Sequence, residues 1–110
     1  MSNLYTAYLQ EKEGKETLEI PNQGFVTYRI LGDTCHICIL YVAPKSRSGE
    51  VARSLMSAVL HKLNGKCKAF TAVVDTRQFD TSRTLQIVLR YGFEVVGVNS
   101  TDILLYKDIK

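Results

Sequence analysis

The stretch YVAPKSRSGEVARSL, residues 41–55, contains residue types that suit the binding of an anion. An apolar run ends before Pro44, polar and basic residues lead to Gly49, and an amphipathic pattern begins directly afterwards. The first amides of a helix have no intrahelical partner and carry partial positive charge, so small residues before a helix suit a phosphate. An ordinary strand-to-helix junction has similar residues, and this stretch alone leaves both interpretations open.

The helix predicted after this loop has one apolar stripe. Four of its residues recur at every fourth position: Val51, Leu55, Val59 and Leu63. This spacing is typical of a helix that packs against a core along one face. Arg53 lies off the stripe, among polar residues expected to face solvent. Asn64-Gly65 is typical of a left-handed helix end.

The remaining patterns predict strands and two further helices. We expect a helix over residues 3–13 and a second that begins near residues 80–82 and ends at Tyr91. The predicted strands are 17–20, 24–31, 34–42, 69–75, 94–98 and 102–107. The run 69–75 is nearly all apolar, which indicates a strand covered on both faces. This order of elements predicts an α/β fold with a mixed sheet.

Length and composition exclude several classes of protein. The chain has 110 residues, 45% of them hydrophobic, so we expect one globular domain over residues 1–110. The apolar runs are too short to span a membrane, and the first residues do not resemble a signal peptide, which predicts the cytoplasm. The net charge of +3 comes without a basic stripe interleaved with aromatics, so no nucleic-acid partner is expected.

The three cysteines do not predict a metal site. Cys35 and Cys38 have the C-x-x-C spacing of half a zinc site, but only His61 and Cys67 remain as a second pair of ligands. Because the run around Cys35 also has the pattern of a strand, we expect small buried side chains there instead.

Two runs resemble the GNAT family of acetyltransferases. Residues 41–44, followed by residues 47–52 and the early helical Leu55, are similar to the V-x-P and R/Q-x-x-G-x-G/A loop of that family. Residues 80–93, with the ending Y-G-F-E, look like its second helix and G-F-E hallmark. The resemblance covers about residues 17–107 and implies a GNAT-like fold, a mixed central sheet with helices on both faces.

The resemblance implies an enzyme that transfers an acetyl group from acetyl-CoA to an amine, either a small amine or a protein lysine or N-terminus. Nine residues would bind the coenzyme, through its pyrophosphate or its pantetheine arm: Leu40, Tyr41, Val42, Arg47, Ser48, Gly49, Glu50, Val51 and Ala52. We expect a monomer or homodimer without a metal, a nucleic acid or a membrane as partner.

The chain departs from the family pattern at two site positions. Glu50 occupies the place of the first glycine in G-x-G/A, and its carboxylate would oppose a bound pyrophosphate unless it turned to solvent. Val88 occupies the place of the tyrosine that protonates the leaving thiolate in many members. That proton would then come from another group, such as Tyr91, or from water. The N-terminal part has room for one helix, where the family generally has two.

His36 is the candidate general base. It lies six residues before Val42, where the histone-acetylating branch of the family has its base glutamate. An imidazole with a pKa near neutrality can take a proton from an ammonium group, directly or through water. The alternative is a partly buried histidine that hydrogen-bonds to a neighbouring strand.

Two functions remain open at this point. The first, which we expect, is an acetyl-CoA-dependent N-acetyltransferase, supported by the V-A-P run at 42–44, Arg47 and the small Ala52. The second is a catalytically inactive protein of the same fold that binds coenzyme A or another protein. Glu50, Val88 and the short N-terminal part favour this second function.

Overall fold

The computed structural model describes residues 4–46, 49–77 and 81–109, with only the backbone described at Thr81 and Arg83. The helices of this part are α1 (Leu4–Glu13), α2 (Glu50–Leu63) and α3 (Thr81–Tyr91), and a short 3-10 turn spans Pro44–Ser46. The strands are β1 (Lys15–Ile20), β2 (Gly24–Leu31), β3 (Thr34–Val42), β4 (Ala69–Asp75), β5 (Glu94–Val98) and β6 (Asp102–Asp108). Most bounds agree with the sequence patterns, and β1 begins two residues earlier than predicted.

The six strands form one mixed sheet in the order β1-β2-β3-β4-β6-β5. β3 and β4 are parallel neighbours at its centre, and the other neighbouring strands are antiparallel. A parallel pair needs a crossover connection, which α2 supplies between β3 and β4. The mixed sheet predicted from the order of elements is therefore confirmed.

One buried cluster holds α2 and α3 against the sheet. The α2 stripe lies in it, and Leu55 and Val59 are at most 1% exposed. α3 packs against the same cluster through three partly buried residues: Leu85, Val88 and Tyr91. Both helices therefore pack on the same side of the sheet. α1 contacts β1, and none of its described residues belongs to the cluster.

Left-handed residues end both of the packed helices. Asn64, with φ of 50°, follows the last turn of α2. After α3, Gly92 has φ of 114°, and the N–H of Phe93 donates to the carbonyl of Val88 at 3.1 Å. This reversal turns the Phe93 ring back into the core, 6.2 Å from the ring of Phe70. The helix ends predicted from Asn64-Gly65 and Gly92-Phe93 are confirmed.

β4 is covered on only one face, which corrects the prediction of cover on both. Phe70, Ala72 and Val74 are buried in the core cluster, whereas Val73 is 43% exposed. The reason is that α2 and α3 pack on the same side of the sheet. The apolar run reflects instead the central place of β4 between β3 and β6, where β-branched residues favour the strand conformation. No helix among the described residues is long and apolar enough to span a membrane.

Candidate functional site

Gly49, directly before α2, has a backbone conformation that favours glycine, with φ of 95°. Its carbonyl oxygen accepts a helical hydrogen bond from the N–H of Arg53 at 3.1 Å. The amides of residues 50–52 precede that bond and have no partner within the helix, and glycine has no side chain to cap them. Arg47 and Ser48, which the sequence also assigns to an anion site, lie outside the described residues.

β3 and β4 separate halfway along their length. The last residues that pair between them are Ile37 and Ala72. Beyond this point β3 continues to Val42 and β4 continues to Asp75. The carboxyl-terminal halves of the two central strands therefore diverge, and they leave a V-shaped gap that opens beside the start of α2.

A β-bulge in β3 begins where the two strands separate. On the β2 side, Tyr28 pairs with Ile37 and Thr27 pairs with Ile39, so Cys38 is the extra residue. A bulge bends its own strand and increases the local twist. The bulge at Cys38 thus gives a physical reason for the divergence of β3 from β4.

The bulged half of β3 directs polar backbone groups towards the gap. The N–H of Ala43 donates to the carbonyl of Gln23 at 2.7 Å, so Ala43 bonds towards β2. Hydrogen-bonded positions alternate along an antiparallel ladder. Leu40, three residues earlier, therefore directs its N–H and its carbonyl away from β2.

An open cleft of about 850 Å³ occupies this gap and extends between α2 and α3. Six of the nine predicted coenzyme-binding residues line it: Leu40, Tyr41, Val42, Gly49, Glu50 and Ala52. Val51 does not, since its side chain is 9% exposed and packs in the core cluster. The Glu50 side chain is exposed, as the sequence analysis required for a carboxylate beside a bound pyrophosphate.

Tyr91 and Val88 line the same cleft from α3. Burial raises the pKa of the Tyr91 phenol above its ordinary value, and the positive charge of Arg53 offsets part of this effect. The Nζ atom of Lys107 lies 5.5 Å from the centre of the Tyr91 ring. A phenol that remains protonated at neutral pH can donate a hydrogen bond into the cleft.

Arg53 and Arg90 also line the cleft, and neither of them belongs to a sequence motif that predicted the site. Both side chains are exposed. Arg53 follows Gly49 by about one helical turn, and its place off the apolar stripe predicted exposure only. The signal available in the sequence was the position of Arg53, one turn beyond the predicted anion-binding loop. Which polar side of α2 faces the cleft depends on the way the strands separate.

Two carboxylates that line the cleft come from neighbouring strands. Asp75 and Asp102 are paired in the β4–β6 register, and both line the cleft. The Nε and Nη2 atoms of Arg77 donate to the Asp75 carboxylate at 2.9 Å each. These bonds lower the pKa of Asp75 to about 2, so this group is ionised at neutral pH.

His36 does not line the cleft and lies on the other face of the sheet from Cys35 and Ile37, which are buried in the core. Its Nδ1 atom lies 2.9 Å from the hydroxyl oxygen of Thr71, so the predicted hydrogen bond to a neighbouring strand is present. Burial lowers the pKa of His36, and the positive charges of Arg29 and Lys15 lower it further. A neutral imidazole of this kind remains compatible with the role of a base.

Among the described residues, no three His, Cys, Asp or Glu side chains lie close enough together to hold a metal ion. All three cysteines are free thiols. Burial raises the pKa of Cys35 to about 12 and also raises the pKa of Cys67. Cys35 and Cys67 therefore act as small hydrophobic side chains of the core.

No protein-family model matches the chain, and no curated protein matches it. Solved structures do match, at low sequence identity. A candidate acetyltransferase of the GNAT family from Desulfovibrio desulfuricans is 17% identical, with a TM-score of 0.78 over 94% of this chain and 75% of the other.

Two further matching structures are N-acetyltransferases. The PaiA N-acetyltransferase of Thermoplasma acidophilum, in complex with coenzyme A, is 20% identical, with a TM-score of 0.70 over 78% of this chain and 53% of that one. The ribosomal-protein-S18-alanine N-acetyltransferase of Escherichia coli is 12% identical, with a TM-score of 0.69 over 99% of this chain and 78% of that one.

These similarities establish the fold. The chain has the α/β fold of the GNAT acetyltransferases, as its sequence motifs implied. The chain spans about half, 53%, of the length of the Thermoplasma protein.

Proposed function

We propose that this protein is an N-acetyltransferase that transfers an acetyl group from acetyl-CoA to an amine. The observation that carries the proposal is the combination of three features in one cleft. These are the diverging strands β3 and β4, the uncapped amides at the start of α2 and the phenol of Tyr91. The fold shared with acetyltransferases supports the same activity.

The cleft has the donor groups and the space that coenzyme A requires. The amides of residues 50–52 and the guanidinium of Arg53 would bind the pyrophosphate, since helix N-termini and arginines both attract phosphate oxygens. A side-chain carbon added at Gly49 would meet no atom within 4 Å, so an anion can approach the backbone closely. The peptide-like pantetheine arm can pair with strand backbone, and Leu40 directs its N–H and carbonyl to the gap.

Acetyl-CoA supplies the acetyl group as a thioester, and the amine must lose a proton as the carbon–nitrogen bond forms and the carbon–sulfur bond breaks. A backbone N–H near the divergence of β3 and β4 would stabilise negative charge on the carbonyl oxygen. Tyr91 would donate a hydrogen bond to the departing sulfur. These roles require only groups that the cleft contains.

His36 would accept the proton from the amine. It lies two strand residues before Cys38, which lines the cleft at the bulge. Two strand residues span about 6.6 Å, so the proton would pass from the amine to His36 through ordered water rather than directly. Because burial and neighbouring cations lower the pKa of His36, the ring is neutral and able to accept a proton near neutral pH.

The amine acceptor would enter from the face of the sheet that carries His36. A protein N-terminus is the first acceptor to test, since one protein of this fold is an alanine N-acetyltransferase for a ribosomal protein. The exposed Val73 and Ile39 on that face leave room for a large acceptor. The three free thiols suit a reducing compartment, and we expect the protein to act in the cytoplasm.

The first experiment measures the melting temperature with acetyl-CoA and the release of free coenzyme A thiol with a panel of peptide and small-molecule amines. A ligand at about 100 times its Kd stabilises the folded chain by about 2.7 kcal/mol, which corresponds to a shift of roughly 10 °C. S-acetyl-pantetheine, which lacks the pyrophosphate, should produce a much smaller shift. No shift at millimolar acetyl-CoA would contradict the proposal.

Variants of α2 test the binding mode within the same experiment. Arg53→Ala should weaken acetyl-CoA binding by up to about fivefold, because an exposed charge pair contributes up to about 1 kcal/mol. Glu50→Gly should strengthen binding by removing a negative charge at the phosphate site. Ser57→Ala, an exposed change on the same helix, is the matched control and should leave Kd unchanged.

A second function, a coenzyme A-binding or protein-interaction protein without turnover, is favoured by one observation. Val88 lines the cleft with an aliphatic side chain. Many members of the family that the sequence resembles have at this position a tyrosine that protonates the leaving thiolate. A thermal shift with acetyl-CoA, together with no release of thiol for any acceptor, would support this second function.

A further inference from the structure

A row of polar and charged side chains crosses the sheet on the face away from the core. Register places Lys15 beside Arg29, Arg29 beside His36, and His36 beside Thr71. The row continues to Tyr106 on the next strand. Within this row the His36 ring is half-buried and makes a hydrogen bond to Thr71.

The hydrogen bond uses only one of the two ring nitrogens. Nδ1 of His36 lies 2.9 Å from Oγ1 of Thr71, whereas Nε2 has no hydrogen-bond partner among the described residues. No buried side-chain nitrogen or oxygen in the described part of the chain lacks a partner. Nε2 must therefore be reached by solvent, and it is the nitrogen able to exchange a proton with an acceptor.

The direction of the hydrogen bond decides whether Nε2 can act as a base. A threonine hydroxyl can either donate to a ring nitrogen or accept from one. If Thr71 donates to Nδ1, a neutral ring carries its hydrogen on Nε2 and presents no lone pair to solvent. If Thr71 accepts from Nδ1–H, the lone pair lies on Nε2.

We propose that Thr71 is a positioning residue for His36: its hydroxyl accepts a hydrogen bond from Nδ1–H, holds the ring in place and leaves the lone pair on the solvent-facing Nε2. The proposal rests on the proposed function, in which His36 removes the proton of the amine. Thr71 itself touches neither acetyl-CoA nor the amine in this scheme, and it acts only through the ring.

The positive charges around His36 favour the neutral ring at neutral pH, so the tautomer of that ring decides whether it can act as a base. Arg29 on β2 and Lys15 on β1 both disfavour the doubly protonated ring, and Lys15 also contacts Glu13 at the end of α1 at 2.8 Å. Cys38 lies at the bulge of the same strand, and the register places further titratable groups on this face: Glu19 on β1, Tyr41 on β3, Asp75 on β4, Glu94 on β5, and Asp102, Tyr106 and Asp108 on β6. The neutral ring therefore predominates, and only one of its two tautomers can serve as a base.

The test is nitrogen-15 NMR of the imidazole rings, because protonated and unprotonated ring nitrogens have well-separated shifts. The chain has two histidines, and the exposed His61 is an internal reference for a ring in solvent. In the wild type, the neutral His36 ring should carry its hydrogen on Nδ1. Thr71→Val should move it towards the mixture seen for His61, and Thr71→Ser should restore the wild-type pattern.

Activity on the same samples gives the second readout. Thr71→Val should lower kcat/KM about tenfold and leave the KM for acetyl-CoA unchanged. This loss is a part of the roughly 10²–10⁴-fold rate increase that general-base catalysis contributes. Thr71→Ser should recover most of the loss. Thr17→Val, a change of the same kind on β1 without contact to His36, should leave both the ring spectrum and kcat/KM unchanged.

The possible failures are distinguishable. A wild type with its hydrogen on Nε2, or a ring spectrum that Thr71→Val leaves unchanged, overturns the proposal whether or not the protein turns over. Wild-type kcat/KM in Thr71→Val would likewise overturn it while leaving the acetyltransferase function intact. Absence of turnover in the wild type would overturn the function and the catalytic role of this pair together, and the NMR result would then identify a structural hydrogen bond.

Discussion

Individual residues decide the electrostatics of the cleft. Arg53 and Arg90 bring two positive charges to its lining, and Glu50 brings a negative charge to the helix end where a pyrophosphate would bind. The Asp75 carboxylate is engaged by Arg77 and is ionised at neutral pH. The affinity for an anionic coenzyme should therefore reflect attraction to the two arginines and repulsion by the two carboxylates, and it should depend on salt.

His36 should make the protein sensitive to acid. Its pKa is lowered in the folded chain from the ordinary 6.5, so below about pH 6.5 the unfolded chain takes up the proton first. The stability associated with the neutral ring is complete above that pH and is lost as pH falls through the folded pKa. The melting temperature of the wild type should therefore fall more between pH 7.5 and 5 than that of His36→Gln.

The control for this prediction is His61→Gln, which changes an exposed histidine on α2. It should show the same pH dependence as the wild type. Equal losses of melting temperature in all three proteins between the two pH values would mean that His36 titrates alike in the folded and unfolded chains.

At the scale of elements, α2 has two roles that lie at different positions along its length. Its beginning presents uncapped amides to the cleft. Its apolar stripe, from Val51 to Leu63, packs against the sheet in the core cluster. Its polar side carries Arg53 to the cleft. Substitutions on the two sides should therefore separate stability from ligand binding.

Leu55→Ala should destabilise the protein strongly. Leu55 is 1% exposed within the core cluster, and leucine-to-alanine changes in cores cost about 2–5 kcal/mol. Ser57→Ala, on the exposed side of the same helix, should change the free energy of unfolding by less than about 0.5 kcal/mol. Urea unfolding measures both, and similar losses in the two variants would contradict the assignment of the buried face.

At the scale of the whole molecule, the candidate site lies at the carboxyl ends of β3 and β4, which are parallel neighbours. Crevices at this end of parallel strands are the usual ligand sites of α/β sheets. The crossover through α2 also brings a helix start to the same edge, because β3 ends where α2 begins. Backbone donors, a helix terminus and an open cleft therefore lie together at this edge of the sheet, and no inserted loop is needed to bring them there.

Hydrogen exchange should divide the molecule into a stable and a less stable part. The core cluster unites β2, β3, β4, α2 and β6, whereas α1 contacts β1 and has Leu9 as its buried residue. Amides of α1 should exchange fastest and those of α2 and β4 slowest, because few buried contacts protect α1. Acetyl-CoA should add protection at the start of α2. Slow exchange throughout α1 would contradict this division.

The sequence by itself determined most of the elements and predicted an anion site at the start of α2, because both depend on local patterns. The four-residue spacing from Val51 to Leu63 specified α2 and its buried face, and the apolar runs specified strands β2, β3 and β4 at their observed bounds. The small and polar residues that lead to Gly49 placed the start of α2 near residues 46–49, and the helix begins at Glu50. Each of these signals lies within a few residues of the feature that it predicts.

Only the tertiary structure decided how these elements meet. The bulge at Cys38 and the end of pairing at Ile37 depend on the register between strands that are distant in the sequence. The same holds for the entry of Arg53 into the cleft and for the contact between His36 and Thr71, which are 35 residues apart. Local propensity carries no information on such a register, because the packing of α2 and α3 on one side of the sheet selects it.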